Sequence, residues 1–168
     1  ITATATVGST TQIDLAWTIG VNSTITRIQR NASGSAAYPT TISTGTNIHN
    51  TTGTTKSDTG LVAGVKYWYS AWAWNNTRKL WSVTYATAYA TTYNYPSVPT
   101  SFTATATVGL TTQIDLAWTM GVNSTITRIQ RNASGSAAYP TTISTGTNIF
   151  NTTGTTKSDT GLVAGVKY

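Results

Sequence analysis

Residues 57–75 read SDTGLVAGVKYWYSAWAWN, and this stretch decides the fold. Asp58, Thr59 and Gly60 predict a turn, because Asp accepts local backbone hydrogen bonds and Gly tolerates positive φ. From Tyr67 onward the residues alternate strictly, with Tyr, Tyr, Ala and Ala on one face and Trp, Ser, Trp and Trp on the other. A period of two predicts a β-strand.

The start of this stretch resembles the corner that opens strand F of fibronectin type III domains, whose pattern is roughly L-x-P-G-x-x-Y-x-V-x-A-x-N. Leu61, Gly64 and Tyr67 carry the resemblance. It implies an antiparallel, immunoglobulin-like β-sandwich in which the tyrosine packs under the turn and bonds the backbone upstream. Ala63 replaces the usual proline and Val65 a usual threonine, so the turn is less constrained. The resemblance implies no reaction.

The composition favours a folded all-β protein. Charged residues are only 8% of the chain, and Thr and Ser together account for 55 of its 168 residues. Six Trp, nine Tyr and repeated β-branched alternation can nevertheless bury a core. There is no Cys, hence no disulfide framework, and no apolar run approaches the roughly 18 residues of a membrane span. The net charge of +6 is dispersed, whereas a nucleic-acid binder would cluster it, so we expect no nucleic-acid partner.

The chain repeats itself at an offset of 101 residues. Residues 1–67 and 102–168 differ at only four of 67 positions, namely Ile1/Phe102, Ser9/Leu110, Ile19/Met120 and His49/Phe150. A period near 100 residues suits one β-sandwich per repeat. We therefore predict a first domain at 1–94, a proline-containing linker at 95–101 and a second copy at 102–168.

The first copy divides into strands separated by turn residues. Proline marks the start of a short edge strand after strand C. No segment shows a helical period. The predicted elements are strand A at Thr2–Val7, B at Thr11–Trp17, C at Ile25–Arg30, a turn at Asn31–Gly34, an edge strand at Thr40–Thr44, E within Gly45–Lys56, F from Tyr67, an F–G loop at Asn75–Lys79 and G at Leu80–Tyr93.

The second copy lacks the counterpart of residues 68–101, which contains most of strand F and all of strand G. A sandwich without these strands exposes its core and two open edges. Three explanations stay open: the molecule continues, the strands come from a neighbouring chain as in donor-strand assembly, or that half is disordered. The chain also starts inside a strand pattern and without Met, which indicates a piece of a longer protein.

The sequence offers no catalytic set. Each copy has only two carboxylates, Asp14 and Asp58 in the first, and acid–base chemistry needs positioned titratable groups. His49 is the only histidine, and Phe150 replaces it in the other copy. No cluster of metal ligands occurs. We expect no enzymatic activity, no cofactor and no metal.

Aromatic residues are the more informative candidates. If Tyr67 faces the core as the resemblance implies, an outward contact surface is expected from the tryptophans that alternate with it. Rows of exposed aromatics mark contact surfaces. They could stack on sugar rings, pack against a neighbouring domain, or be core residues if the faces are inverted. The predicted surface is Trp68, Trp72, Trp74 and Trp81, and the predicted corner and core residues are Trp17, Leu61, Tyr67, Trp118, Leu162 and Tyr168.

Seven Asn-x-Ser/Thr triplets fall in or beside predicted turns, where N-linked sugar is tolerated. Because Ser and Thr are so abundant, about half of these triplets are expected by chance. The candidate asparagines are Asn22, Asn31, Asn50, Asn75, Asn123, Asn132 and Asn151.

Two functions fit these observations. One is a structural repeat unit of an extracellular filament, sheath or surface fibre, with neighbouring repeats as partners, because repeat arrays need neighbour contacts to cover such faces. The other is a carbohydrate-binding or spacer module beside a polysaccharide-acting enzyme, since the D-T-G-L corner most resembles domains of that kind. Glycans are then a further partner, and the location is extracellular or at the cell surface.

Overall fold

The computed structural model describes residues 1–31, 37–132 and 138–168, and within them the chain forms thirteen β-strands and no helix. The all-β prediction is confirmed. The chain divides into two compact units, Ile1–Tyr95 and Pro96–Tyr168, each with its own core.

Unit 1 is a sandwich of two antiparallel sheets. One sheet has the order β1-β2-β5. The other has the order β4-β3-β6, and the far side of β6 pairs with β8 along most of its length and with β7 at its end. The strands are β1 Thr2–Ala5, β2 Ile13–Ala16, β3 Ile25–Arg30, β4 Thr46–Thr51, β5 Thr55–Asp58, β6 Lys66–Asn75, β7 Leu80–Trp81 and β8 Ala86–Thr91.

The alternation along β6 sets the inside of unit 1. Tyr67, Tyr69 and Ala71 point into the space between the sheets. Burial of each large apolar side chain contributes about 1.5–3 kcal/mol, so this one face of β6 accounts for a large share of the core. The other buried members of the cluster are Ile13, Leu15, Trp17, Ile28 and Leu61.

The corner before β6 has the geometry that the resemblance implied. The Tyr67 hydroxyl accepts a hydrogen bond from the Val62 N–H at 2.9 Å, and Leu61 is buried beside it. Gly64 lies at φ +70°, and a Cβ there would collide with the Asn94 side chain. Two separate reasons therefore favour glycine at this position: the positive φ, and the lack of space for a side chain.

Unit 2 contains counterparts of the first five strands. β9, β10 and β13 form a three-stranded sheet, and β11 pairs with β12. Its core is the smaller cluster of Leu116, Trp118 and Ile129. The strands are β9 Thr100–Ala106, β10 Gln113–Thr119, β11 Thr127–Arg131, β12 Thr147–Thr152 and β13 Thr156–Thr160.

Several predicted boundaries need correction. The edge strand predicted at Thr40–Thr44 is a turn. The Thr41 carbonyl accepts hydrogen bonds from the Thr44 N–H and hydroxyl, and the Thr41 hydroxyl is hydrogen-bonded to that of Ser43. These local bonds take the place of hydrogen bonds to a neighbouring strand. The segment predicted to hold strand E holds two strands, β4 on β3 and β5 on β2. β9 begins at Thr100, so the last two residues of the predicted linker, Thr100 and Ser101, belong to a strand. The turn predicted at Asn31–Gly34 lies largely outside the described residues.

Strand G is not continuous. It is divided into β7 and β8, and residues 82–85 between them leave the ladder. Ser82 causes the break, since its N–H donates to the Ala73 carbonyl while its hydroxyl accepts from the Ala73 N–H and donates to the Thr84 carbonyl. The small side chain thus replaces the next ladder residue and turns the chain back over the sheet.

Candidate interaction surface

The outer face of β6 carries a row of aromatic pairs, each joining a β6 residue to one from the segment that follows. Trp74 lies beside its ladder partner Trp81, with ring centroids 5.0 Å apart. Trp72 lies 4.9 Å from Tyr85, which the break after β7 brings back over the sheet. We call the row, together with Trp68 and Tyr89, the aromatic face. Tilted pairs at these distances gain about 0.5–1.5 kcal/mol beyond their buried area.

A cation closes one end of the aromatic face. The Lys66 ammonium lies 3.8 Å from the Tyr89 ring centroid and 5.2 Å from that of Trp68. Trp68 and Tyr89 are register partners in β6 and β8, and Lys66 lies on the same face, two positions before Trp68 in β6. The three residues form a partly exposed site of two flat rings and one positive charge, and we call it the Lys66 cluster.

Trp72 is not available as a contact residue in the way that the sequence predicted. It lies on the outer face, but Tyr85 covers it and it is only 4% exposed. Trp68, Trp74 and Trp81 are half-buried on the same face. The aromatic face is therefore partly a second small core above the sheet, and its exposed part also includes Tyr89, at 55% exposure.

A charged network on the core side of β6 connects this strand to β3 and β5. Asp58, at the end of β5, binds Arg30 of β3 through Oδ1 at 2.6 Å and accepts the Tyr69 hydroxyl on Oδ2 at 3.0 Å. Burial first, and then the Asp58 carboxylate, raise the pKa of Tyr69 well above its usual range, so the hydroxyl stays a donor. Three strands from both sheets meet at this carboxylate. Sequence reasoning placed Asp58 in a turn and missed the network, because the partners lie 28 and 11 residues away.

The His49 position is an aromatic packing site. The His49 ring packs edge-on against Trp17 at 4.8 Å, and Phe150 packs against Trp118 at 5.0 Å in the same way. A register shift in β4 lets Ile48 pack on the core beside it, and β12 repeats this bulge. Burial lowers the pKa of His49, and the nearby Lys56 charge lowers it further, while a hydrogen bond to the Thr51 carbonyl opposes them.

The remaining predicted residues fall into two groups. Trp17, Leu61, Tyr67, Trp118 and Leu162 are buried, while Tyr168 is half-buried and bonds the Val163 N–H at 2.9 Å. Among the sequon asparagines, four are exposed and three half-buried. The exposed ones are Asn22, Asn50, Asn123 and Asn151, and the half-buried ones are Asn31, Asn75 and Asn132.

The carboxylates of the described residues act singly as hydrogen-bond acceptors and do not form a cluster that could bind a metal ion. Asp14 accepts from Thr6 and Ser57 at 2.7 Å each and from Gln12 at 2.8 Å, and these bonds lower its pKa. No group of three or more His, Cys, Asp or Glu side chains occurs in the described part of the chain. None of the described residues belongs to a helix that could cross a membrane.

The strand order of unit 1, β1-β2-β5 facing β4-β3-β6-β8, defines a fibronectin type III-like β-sandwich. In comparisons of structure the chain is similar to a segment of two fibronectin type III domains from chicken tenascin, with 16% identity, a TM-score of 0.39 and coverage of 98% of this chain and 83% of that one. It is also similar to the FN1–FN3 domains of chicken contactin (CNTN1), with 11% identity, a TM-score of 0.37 and coverage of 99% of this chain. The chain spans 58% of that contactin segment. No protein-family model and no curated protein sequence matches the chain.

Proposed function

We propose that this chain is a structural repeat unit of an extracellular filament, sheath or surface fibre, without catalytic activity. The observation that carries the proposal is the aromatic face of unit 1. Unit 1 has a complete core between its two sheets, yet it also presents aromatic and apolar side chains outside that core. Val83, in the break between β7 and β8, is 99% exposed. An apolar surface of this kind is typical of a protein–protein contact.

The partner that we propose is another repeat of the same sequence. The two copies differ at only four of 67 aligned positions, and repeats of nearly identical sequence favour regular association between neighbours. A hydroxyl-rich surface with few charges also limits electrostatic repulsion between copies, because only 8% of the residues are charged.

Assembly of the purified chain tests the proposal. We expect light scattering to show mass increasing with concentration and negative-stain microscopy to show fibres or sheets. Trp68→Ser and Tyr89→Ser should reduce assembly, whereas Val7→Ser, at an 88% exposed position in the turn after β1, should not. A chain that stays monodisperse at high concentration, or a Val7→Ser effect equal to the other two, would reject the filament function.

N-linked sugar at the exposed sequons is part of the proposal. Attachment uses the side-chain amide nitrogen, and Asn22 and Asn50 present theirs on exposed positions. In contrast, the Asn31 amide nitrogen donates to the Ala37 carbonyl, and Asn75 is half-buried. Intact mass before and after enzymatic deglycosylation of secreted material should show occupancy at the exposed sites first. An unchanged mass would remove the sugar from the proposal.

The Lys66 cluster favours a second candidate, carbohydrate binding. Two adjacent rings, Trp68 and Tyr89, with an ammonium beside them can stack on a sugar ring and bond its hydroxyls. Trp68→Ala should abolish retention on an insoluble polysaccharide, while Lys79→Ala, in the loop after β6, serves as a charge control. If neither wild type nor Lys79→Ala is retained, this candidate is rejected and the filament function is unaffected.

A further inference from the structure

The outer face of the β1-β2-β5 sheet carries small polar side chains and one negative charge. Ile13 and Leu15 of β2 point into the core, so Asp14 between them points outward. Thr4 of β1 and Ser57 of β5 are the register partners of Asp14 on either side. We call this surface the hydroxyl face. Its residues are Thr4, Thr6, Gln12, Asp14, Ala16 and Ser57.

Asp14 is held in its charged form at the centre of the hydroxyl face. Thr6, Gln12 and Ser57 donate to its two oxygens at 2.7–2.8 Å, and these bonds lower its pKa. A carboxylate accepts about four hydrogen bonds, so one position remains open. In the described part of the chain no Lys or Arg side chain pairs with Asp14. A cation from another molecule can therefore bind it without displacing an internal partner.

Unit 2 presents the same hydroxyl face on its β9-β10-β13 sheet. Asp115 accepts from Thr107 and Ser158 at 2.7 Å and from Gln113 at 2.9 Å. These bonds lower the pKa of Asp115 as their counterparts do in unit 1. Because both units form the arrangement, the exposed and internally supported carboxylate is a property of the repeat.

The aromatic face, on the other sheet of unit 1, carries the opposite charge. Besides Lys66 it includes Arg27 of β3, which is the register partner of Trp72, whereas the next residue, Ile28, points into the core. Among the described residues neither cation pairs with a carboxylate, and neither carboxylate of unit 1 lies on this face. The two outer faces of unit 1 are thus complementary in charge. They are also complementary in size, because one carries large rings and the other small side chains.

We propose that the aromatic face of one copy stacks on the hydroxyl face of another, with the Lys66 ammonium bound to Asp14 or Asp115 of the other molecule. This inference rests on the proposed function, in which other repeats are the partners, and it names the two surfaces that meet. The two faces differ, so a copy bound through one face still offers the other to the next copy, and such heterologous contacts build open fibres. Pairing of two aromatic faces would instead close after two copies and would place like charges, Lys66 and Arg27, against each other.

A charge exchange between the two faces of the full chain tests the contact. One variant carries Lys66→Glu and the other carries Asp14→Lys with Asp115→Lys, so each places like charges at the contact between its own copies. Light scattering should show that each variant alone needs at least tenfold more protein than wild type to assemble, because one charged hydrogen bond is lost and a repulsion is added. An equimolar mixture should recover assembly, since the introduced glutamate then meets an introduced lysine. Lys79→Glu, the same change in the exposed loop after β6, should assemble as wild type does.

Cross-linking of the wild-type chain tests the same contact without any substitution. A carbodiimide joins a lysine amine to a carboxylate only where the two touch. In a mixture of isotope-labelled and unlabelled chains, hybrid cross-links should join Lys66 to Asp14 or Asp115. Lys79 serves as the internal control and should form few such links.

Three results would overturn the contact between the two faces. They are a mixture that assembles no better than its components, equal effects of Lys66→Glu and Lys79→Glu, and unimpaired assembly of the variant with Asp14→Lys and Asp115→Lys, which would assign the aromatic face to a second aromatic face. Wild-type fibres without cross-links from Lys66 would reject this contact alone. Hybrid cross-links from Lys66 in a chain that never forms fibres would reject the filament function alone.

Discussion

Replacing Asp58 by Asn should destabilise unit 1 more than any change to an exposed charge. The substitution keeps the shape of the side chain and removes the charge that faces Arg30 at 2.6 Å. The Arg30 and Asp58 side chains are only 18% and 6% exposed, so the guanidinium would remain buried without a counter-charge. Breaking a buried pair on one side costs about 3–5 kcal/mol, and because Arg30 keeps some exposure we expect a loss of about 3 kcal/mol.

A loss of about 3 kcal/mol corresponds to a fall in melting temperature of about 12–24 °C for a domain of this size. Urea unfolding followed by tryptophan fluorescence measures it. Five of the six tryptophans lie in unit 1, so a Trp118→Phe background makes the signal specific for that unit. Asp159→Asn in the same background is the matched control, because it breaks the equivalent pair in unit 2 and should leave the unfolding transition of unit 1 unchanged.

Adding Arg30→Met to Asp58→Asn should recover part of the loss, because no unpaired charge then remains buried. If Asp58→Asn costs less than about 1 kcal/mol, the pair behaves as an exposed ion pair and the reasoning is wrong. A double variant whose loss equals the sum of the two single losses would also contradict it, since additivity means that the two side chains do not act on each other.

His49→Phe should remove a pH dependence of the stability of unit 1, which unit 2, with Phe150 at this position, should lack. Because the pKa of His49 is lowered in the folded state, its contribution to stability is complete above the ordinary histidine pKa of about 6.5. The contribution is lost as the pH falls toward the lower folded value. Thermal unfolding at pH 5 and 7.5 measures this contribution, and a variant with the same pH dependence as the wild type would contradict the prediction. Trp72→Ala should cost about 3–5 kcal/mol in urea unfolding, because Trp72 is buried outside the main core, and a loss below about 1 kcal/mol would mean that the aromatic face does not cover it. Asp14→Asn should flatten the loss of unit 1 stability below about pH 4, because hydrogen bonds lower the pKa of Asp14 and its contribution is present above the ordinary aspartate pKa of about 3.9 and lost below it; an unchanged acid limb would refute this.

Local patterns were sufficient for most of the first unit. The alternation from Tyr67 predicted β6, and the Leu61–Gly64–Tyr67 corner carried the resemblance, which implied that the tyrosine face lies inward. Strand C was predicted with its observed ends, Ile25 and Arg30. These features depend on the period of the side chains and on turn chemistry, both of which are properties of neighbouring residues.

Other features depended on residues far apart in the chain. Nothing near Trp72 indicates that Tyr85 will cover it, because that contact needs the break at Ser82. The hydroxyl of Ser82 replaces ladder bonds, which composition cannot distinguish from the many other hydroxyls. Likewise, the turn at Thr41 has the β-branched composition of a strand.

The sequence alone determined the all-β class, the repeat and the corner, because period and turn chemistry act over a few residues. The tertiary structure decided which face of β6 lies inward, which tryptophan is covered and which carboxylate is paired. The clearest case is Trp72, which the alternation places on the outer face and which Tyr85 covers, so that it is only 4% exposed. Burial depends on the side chains that lie against a residue, and these come from parts of the chain that local patterns do not relate to it.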